Sequence, residues 1–102
     1  MANAVWIVSY QLNEEASAED FLVASQKCYE EIFIKQKGFI SWDVLRDGET
    51  WIDLLKWETI EDAKNGQTKA NENPIAHDYF EFINMSSVKL QTSFIERSYY
   101  PK

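Results

Sequence analysis

Two rhythms of apolar residues take turns along this chain. "AVWIVSYQL" (4–12) is β-rich and carries apolar side chains on both of its alternating faces. The polar stretch "NEEASAED" ends it. Ser17 and Asp20 then have the spacing of a capping box, which predicts a helix from about 18 to 36. Phe21, Ala24, Cys28 and Ile32 form its apolar stripe, widened by Tyr29 and Phe33, and Gly38 suits its C-terminal cap.

"FISWDVL" and "TWIDLLKW" are the next two strands. They flank Arg46-Asp47-Gly48-Glu49, a hairpin signal with Asp47 and Gly48 expected in a type I′ turn. Thr59 and Asp62 cap a second helix. Asn73-Pro74 interrupts it and restarts it, Asn as cap and Pro at the first helical position, with Ile75, Tyr79, Phe82 and Ile83 as the apolar stripe. "MSSVKLQTSFIERSYY" returns to an extended pattern, a fourth strand from about 88 to 98.

The order is β-α-β-β-α-β. With right-handed crossovers this predicts an α+β fold, a ferredoxin-like sandwich: a four-stranded antiparallel sheet with two helices on one face. Residues 1–102 are expected to form a single domain. In the first strand Ala4, Trp6, Val8, Tyr10 and Leu12 alternate with Val5, Ile7, Ser9 and Gln11, so neither face is fully polar. A second subunit packed sheet against sheet is the simplest cover, giving a homodimeric α+β barrel. Exposed Val and Ile serving only as strand formers is the other reading.

A two-residue Asp47-Gly48 loop sets a register in which Arg46 faces Glu49, Val44 faces Trp51, Trp42 faces Asp53 and Ile40 faces Leu55. One face then collects Ile40, Trp42, Val44, Trp51, Asp53, Leu55 and Trp57, and should lie under the helices. The other collects Phe39, Ser41, Asp43, Ile52, Leu54 and Lys56. Asp53 thus lands on the apolar face. A carboxylate there is either a polar group of a pocket, a proton acceptor or hydrogen-bond anchor, or a group at the sheet margin that reaches water or a lysine.

Composition narrows the partners. The 102 residues are 45% hydrophobic and 15% aromatic, with four Trp, five Tyr and six Phe. That is more large side chains than a small core needs, so some are expected at an interface or a cavity. A net charge of −7 without a basic block argues against nucleic acid and anionic membrane. One cysteine, Cys28, excludes an internal disulfide and a Cys-based zinc site. "MANAVWIVSYQL" lacks a basic n-region and its apolar run is short, so a cytoplasmic location is expected.

His77, the only histidine, is a candidate base, proton shuttle or axial haem ligand, or else a surface residue beside Asp78. Cys28 on the helical stripe reads as a small buried hydrophobe. Gly66 inside a helix points to a close approach to the sheet, to room for a ligand, or to simple tolerance. There is no phosphate loop, serine elbow or multi-histidine metal spacing.

The element order, the length, and "KGFISWDVLRDGETWIDLLKWETIEDA" followed by "NPIAHDYFEFI" resemble the antibiotic-biosynthesis-monooxygenase-like family. Gly38-Phe39 and Trp57-Glu58-Thr59 carry the resemblance. It implies a dimeric α+β barrel and includes cofactor-free oxygenases of aromatic polyketides and quinols, haem-degrading enzymes and many proteins of unknown role. In the polyketide-oxidising branch, a strand-three Trp and a preceding Asn line the pocket. Trp57 matches the Trp, and Asp53 stands at the place of the Asn. Ala63 replaces that branch's helix-two Tyr, and its later Arg falls near His77 or Phe80. Of the haem-degrading set, Gly66 stands in place of a second Trp, the strand-one Asn is missing, and His77 alone falls near the ligating His.

The leading expectation is a cofactor-independent monooxygenase of small aromatic substrates, with no cofactor or metal. Asp53 or His77 would remove a proton, and Trp42, Trp57 and Phe80 would hold the ring. The alternatives are a non-catalytic dimer that binds a small apolar or aromatic ligand, and a haem-binding protein using His77.

Overall fold

The structure, a computed structural model, describes residues 3–101. Its elements run β1 (Ala4–Leu12), α1 (Ala18–Glu31), a 3₁₀ turn (Phe33–Lys35), β2 (Phe39–Asp47), β3 (Thr50–Trp57), α2 (Ile60–Asn71), α3 (Pro74–Phe80) and β4 (Ile83–Phe94). The strands form one antiparallel sheet in the order β2-β3-β1-β4. This is the ferredoxin-like α+β fold. The expected caps form: the Asp20 amide donates to Ser17 Oγ, the Asp62 amide to Thr59 Oγ1, and the Ile75 amide to Asn73 Oδ1.

One face of the sheet carries the core. Ala4 and Tyr10 of β1 and Trp51, Asp53, Leu55 and Trp57 of β3 are all buried there. The helices cover them through Phe21 and Cys28 of α1, Ala63 and Ala70 of α2, and Ala76 and Tyr79 of α3. The opposite face holds Val5, Ile7, Ile52 and Leu54, each only half-buried. Among the described residues no helix is long and apolar enough to cross a membrane.

Helix α1 stops at Glu31, short of the predicted 36. A continuous helix would turn Phe33 away from the stripe through Phe21, Cys28 and Ile32. A break at Ile32 (φ −122°, ψ −68°) lets Ile32 and Phe33 both bury, at 2% and 6% exposure. Ser25 is buried on this helix, whereas Tyr29 is exposed. Strand β4 begins at Ile83, earlier than the predicted 88, because Leu12 pairs with Ile83 and the Asn13 side chain holds Glu81 O at 2.8 Å. It ends at Phe94 instead of near 98.

The hairpin turn is shifted by one residue. Asp47 pairs with Thr50, so Gly48 and Glu49 form the loop. Gly48 takes φ +62° and no other residue type among those described has positive φ. A type I′ turn on Asp47-Gly48 would force Asp47 into the left-handed region, and the glycine-first loop avoids that strain. The register becomes Arg46 with Trp51, Val44 with Asp53 and Trp42 with Leu55, in place of Trp42 with Asp53. The slip is even, so these side chains keep their predicted faces. Ile40 and Phe39 do not. An irregularity between Phe39 and Ser41 pairs Phe39 with Trp57, turning Phe39 inward and leaving Ile40 44% exposed.

Candidate active site

Asp53 lies in the middle of β3, which is flanked by β1 and β2, so its neighbours come from three strands and a helix. It is 5% exposed. Tyr10 of β1 donates to its Oδ1 at 2.8 Å, and Tyr79 of α3 donates to its Oδ2 at 2.6 Å. The two tyrosine oxygens are themselves 3.1 Å apart. Burial pushes the carboxyl group above its ordinary pKa, and the Tyr79, Tyr10 and Trp42 side chains pull the other way. The Trp42 contribution is the weakest, and its N–H makes no hydrogen bond of good geometry. Burial, with Asp53 beside them, raises both Tyr10 and Tyr79 above the ordinary phenol value.

Three oxygen-to-oxygen contacts close a ring here. With Asp53 ionised, two phenolic protons must serve three contacts, and the tyrosine-to-tyrosine contact holds none. With Asp53 protonated, three protons serve three contacts: Asp53 donates to one tyrosine, that one to the other, and that one back to the carboxyl. The geometry therefore suits a group that takes up one proton and stores it.

Phe21 seals this cluster. Its ring stacks on Tyr79 at 4.9 Å and meets Tyr10 edge-on at 5.8 Å and Trp51 at 5.2 Å. A second aromatic group lies further along the same face, where Trp6, Trp42 and Trp57 surround Phe33. The indole N–H groups of these three tryptophans are buried and have no hydrogen-bond partner among the described residues. A buried donor left unpaired costs roughly 1–3 kcal/mol.

The predicted site residues separate into two places. Asp53, Trp42 and Trp57 share the covered face of the sheet. His77 and Phe80 lie on the surface of α3, where they line a cavity of about 400 Å³ with Glu81, Ile83 and Met85. His77 is exposed, and its Nε2 lies 2.7 Å from Asn71 O. A larger cavity of about 570 Å³ opens at the hairpin end, bordered by Leu12, Arg46, Glu49 and Trp51. Neither cavity reaches Asp53 or Trp57. Gly66 leaves no room for a ligand: it is the close approach, and a methyl group there would overlap the outer edge of the Trp57 ring. Cys28 is buried with its thiol pushed up to about 12, chiefly by desolvation. Among the described residues, no group of three or more His, Cys, Asp or Glu side chains is placed to hold a metal ion.

Sequence reasoning does not single out Tyr10 and Tyr79, which read as strand and stripe residues. Their signal is the phenol itself: a tyrosine on a buried face needs a partner, and Asp53 is the polar group on that face.

No family model matches the chain, and no curated protein matches it in sequence. Solved structures do match. The monooxygenase ActVA-Orf6 of Streptomyces coelicolor, in complex with nanaomycin D, superposes with a TM-score of 0.77 at 11% identity, over 99% of this chain and 94% of that one. A mutant of SnoaB, a cofactor-independent oxygenase from Streptomyces nogalater, gives 0.70 at 12% identity over 98% of both chains. A dimeric ferredoxin-like protein from an uncultured marine organism gives 0.73 at 9% identity, over 100% of this chain and 95% of that one. The chain has the fold of antibiotic-biosynthesis-monooxygenase-type proteins, as its sequence resemblance implies.

Proposed function

We propose that this single-domain chain is a cofactor-independent monooxygenase of small, electron-rich aromatic compounds, working as a homodimer through the half-buried face of its sheet. The observation that carries the reading is the buried Asp53 held between Tyr10 and Tyr79. The shared fold with ActVA-Orf6 and SnoaB supports it, as does the dimeric neighbour of the same fold. Val5, Ile7, Ile52 and Leu54 supply an apolar patch for the second subunit.

The chemistry follows from proton storage. A ring CH₂ made acidic by neighbouring phenol and carbonyl groups loses a proton to Asp53, by way of a tyrosine hydroxyl, and the three-membered ring of hydrogen bonds closes. The substrate anion supplies electrons to O₂. One oxygen atom enters the product as C=O and the other leaves as water, so CH₂ and O₂ become C=O and H₂O with no outside reductant. Asp53 acts as the base, Tyr10 and Tyr79 position it, and Trp42 and Trp57 flank the ring. His77 has no role in the proton transfer.

Oxygen uptake with anthrone tests this. Asp53→Asn keeps the shape and loses the base, and should lower kcat about 100-fold, while His77→Ala leaves it unchanged. No uptake across a panel of anthrones and quinols, together with saturable quenching of tryptophan fluorescence, would identify a binding protein in place of an enzyme.

A further inference from the structure

The cavity of about 570 Å³ at the hairpin end has no part in the Asp53 cluster. One of its walls is a fixed cation. Arg46 pairs with Trp51 across the β2–β3 ladder, so both side chains leave the sheet on the helix-covered side. The Arg46 guanidinium lies 4.8 Å over the Trp51 ring, and its Nε donates to Gly48 O at 2.9 Å. Together these contacts set the plane of the guanidinium where it lines the cavity. Its two terminal nitrogens are left over, because among the described residues Arg46 has no carboxylate partner. A guanidinium held at its root with its fork free can receive a carboxylate from outside the chain at little ordering cost.

Glu14 and Glu49 line the same cavity, yet neither comes within salt-bridge reach of Arg46. Charges of both signs thus border one space without neutralising each other. A simple anion on Arg46 would meet two carboxylates, in a chain whose net charge is already −7. A simple cation on the glutamates would meet the guanidinium. A molecule that carries both charges satisfies both groups, and molecules of one charge are disfavoured by the other. Leu12, Ala18 and the buried Trp51 supply apolar wall for the rest of it. The volume suits a small molecule, for which sites of roughly 300–1,000 Å³ are usual.

We infer that this cavity binds a small zwitterion, an α-amino acid with an apolar side chain. Its carboxylate sits on Arg46, its ammonium on Glu14 and Glu49, and its side chain against Leu12, Ala18 and Trp51. The site goes beyond the oxygenase reading and does not depend on it. L-Leucine tests it beside two relatives of the same skeleton: 4-methylpentanoate, which lacks the ammonium, and 3-methylbutylamine, which lacks the carboxylate. In the wild-type protein with ¹⁵N-labelled indoles, L-leucine should shift the Trp51 N–H signal saturably and leave that of Trp57 in place. Each singly charged relative should bind about tenfold more weakly. Arg46→Lys, which keeps the charge and loses the planar fork, should weaken L-leucine about tenfold. Glu14→Gln combined with Glu49→Gln should bring L-leucine down to the level of 4-methylpentanoate. Binding of 4-methylpentanoate as tight as that of L-leucine marks a plain anion site and overturns the inference. Equally tight binding of 3-methylbutylamine marks a plain cation site and overturns it too. So does the absence of a Trp51 shift with L-leucine. The wild-type comparison of the three compounds decides the matter if a variant does not fold.

Discussion

Two phenylalanines, Phe21 of α1 and Phe33 of the turn that follows it, each sit at the centre of an aromatic cluster on one face of one sheet. Around Phe21, every nearby polar atom of the Asp53 group is paired: Tyr10 and Tyr79 hold both carboxyl oxygens. Around Phe33, the indole N–H groups of Trp6, Trp42 and Trp57 are buried and make no hydrogen bond of good geometry among the described residues, although Trp42 acts weakly on Asp53. The first cluster spends its polar groups on itself and gains a fixed geometry. The second keeps donors in reserve. Phe21 is seated in a regular helix, whereas Phe33 rides on a broken one. One core thus holds both a polar group paired within itself and buried donors without a partner among the described residues.

Substitution of the two rings tests that contrast most strongly. Phe21→Ala should destabilise by about 3–5 kcal/mol. Phe33→Ala should fall at least about 1 kcal/mol short of that loss, because water entering the gap can accept from the indoles. Urea midpoints at unchanged m-value measure both, and equal losses would erase the distinction.

Next in size is the carboxylate's own pairing. Tyr79→Phe removes a hydrogen bond to a charged group and should lower stability by about 1.5–3 kcal/mol near neutral pH. A loss no larger than that of a surface substitution would mean the ring of contacts holds nothing together.

The pH dependence is subtler. The Asp53 pKa is raised in the folded chain, so the folded state binds its proton more tightly than the unfolded state does. Its contribution is fully present below the unfolded value of about 3.9 and is lost as pH rises through the raised folded value. Asp53→Asn should flatten that decline in thermal midpoints measured from acid towards neutral pH. A parallel decline in the variant would place the titration elsewhere.

The smallest effect belongs to Trp6→Phe. Its indole N–H bonds nothing among the described residues, so relief of an unpaired donor offsets lost contact area. A change of less than about 1 kcal/mol is expected. A loss as large as that at Phe21 would show that the donor is satisfied in solution.

Much of this frame is legible in the chain. Capping pairs at Ser17, Thr59 and Asn73 and the strand alternation of residues 4–12 give the element order, because these signals are local. The placement of Asp53 on the covered face survives a mistaken turn, since a slip by two residues preserves side-chain direction. Phe39 and Ile40 exchange faces because an irregularity in the ladder leaves no mark in periodicity. The break at Ile32 is equally hidden: it is set by two adjacent apolar residues competing for one core. Tyr10 and Tyr79 meet Asp53 across separations of 43 and 26 residues, and only the assembled sheet brings them together. His77 and Asp53, both chemically plausible in isolation, are parted by the same assembly.

Gly66 also sets a direction. Its bare backbone lies against the rim of the Trp57 indole, with Asp62, Ala63 and Ala70 on the same buried side of α2. Rolling the helix by one residue, about 100°, would press Asn65 or Gln67 into that rim instead. The glycine therefore acts as a key that admits α2 in one rotational setting. In that setting Gln67 reaches Thr92 of β4 at 3.3 Å, and the Trp57 indole is held at a fixed tilt while its N–H has no hydrogen-bond partner among the described residues.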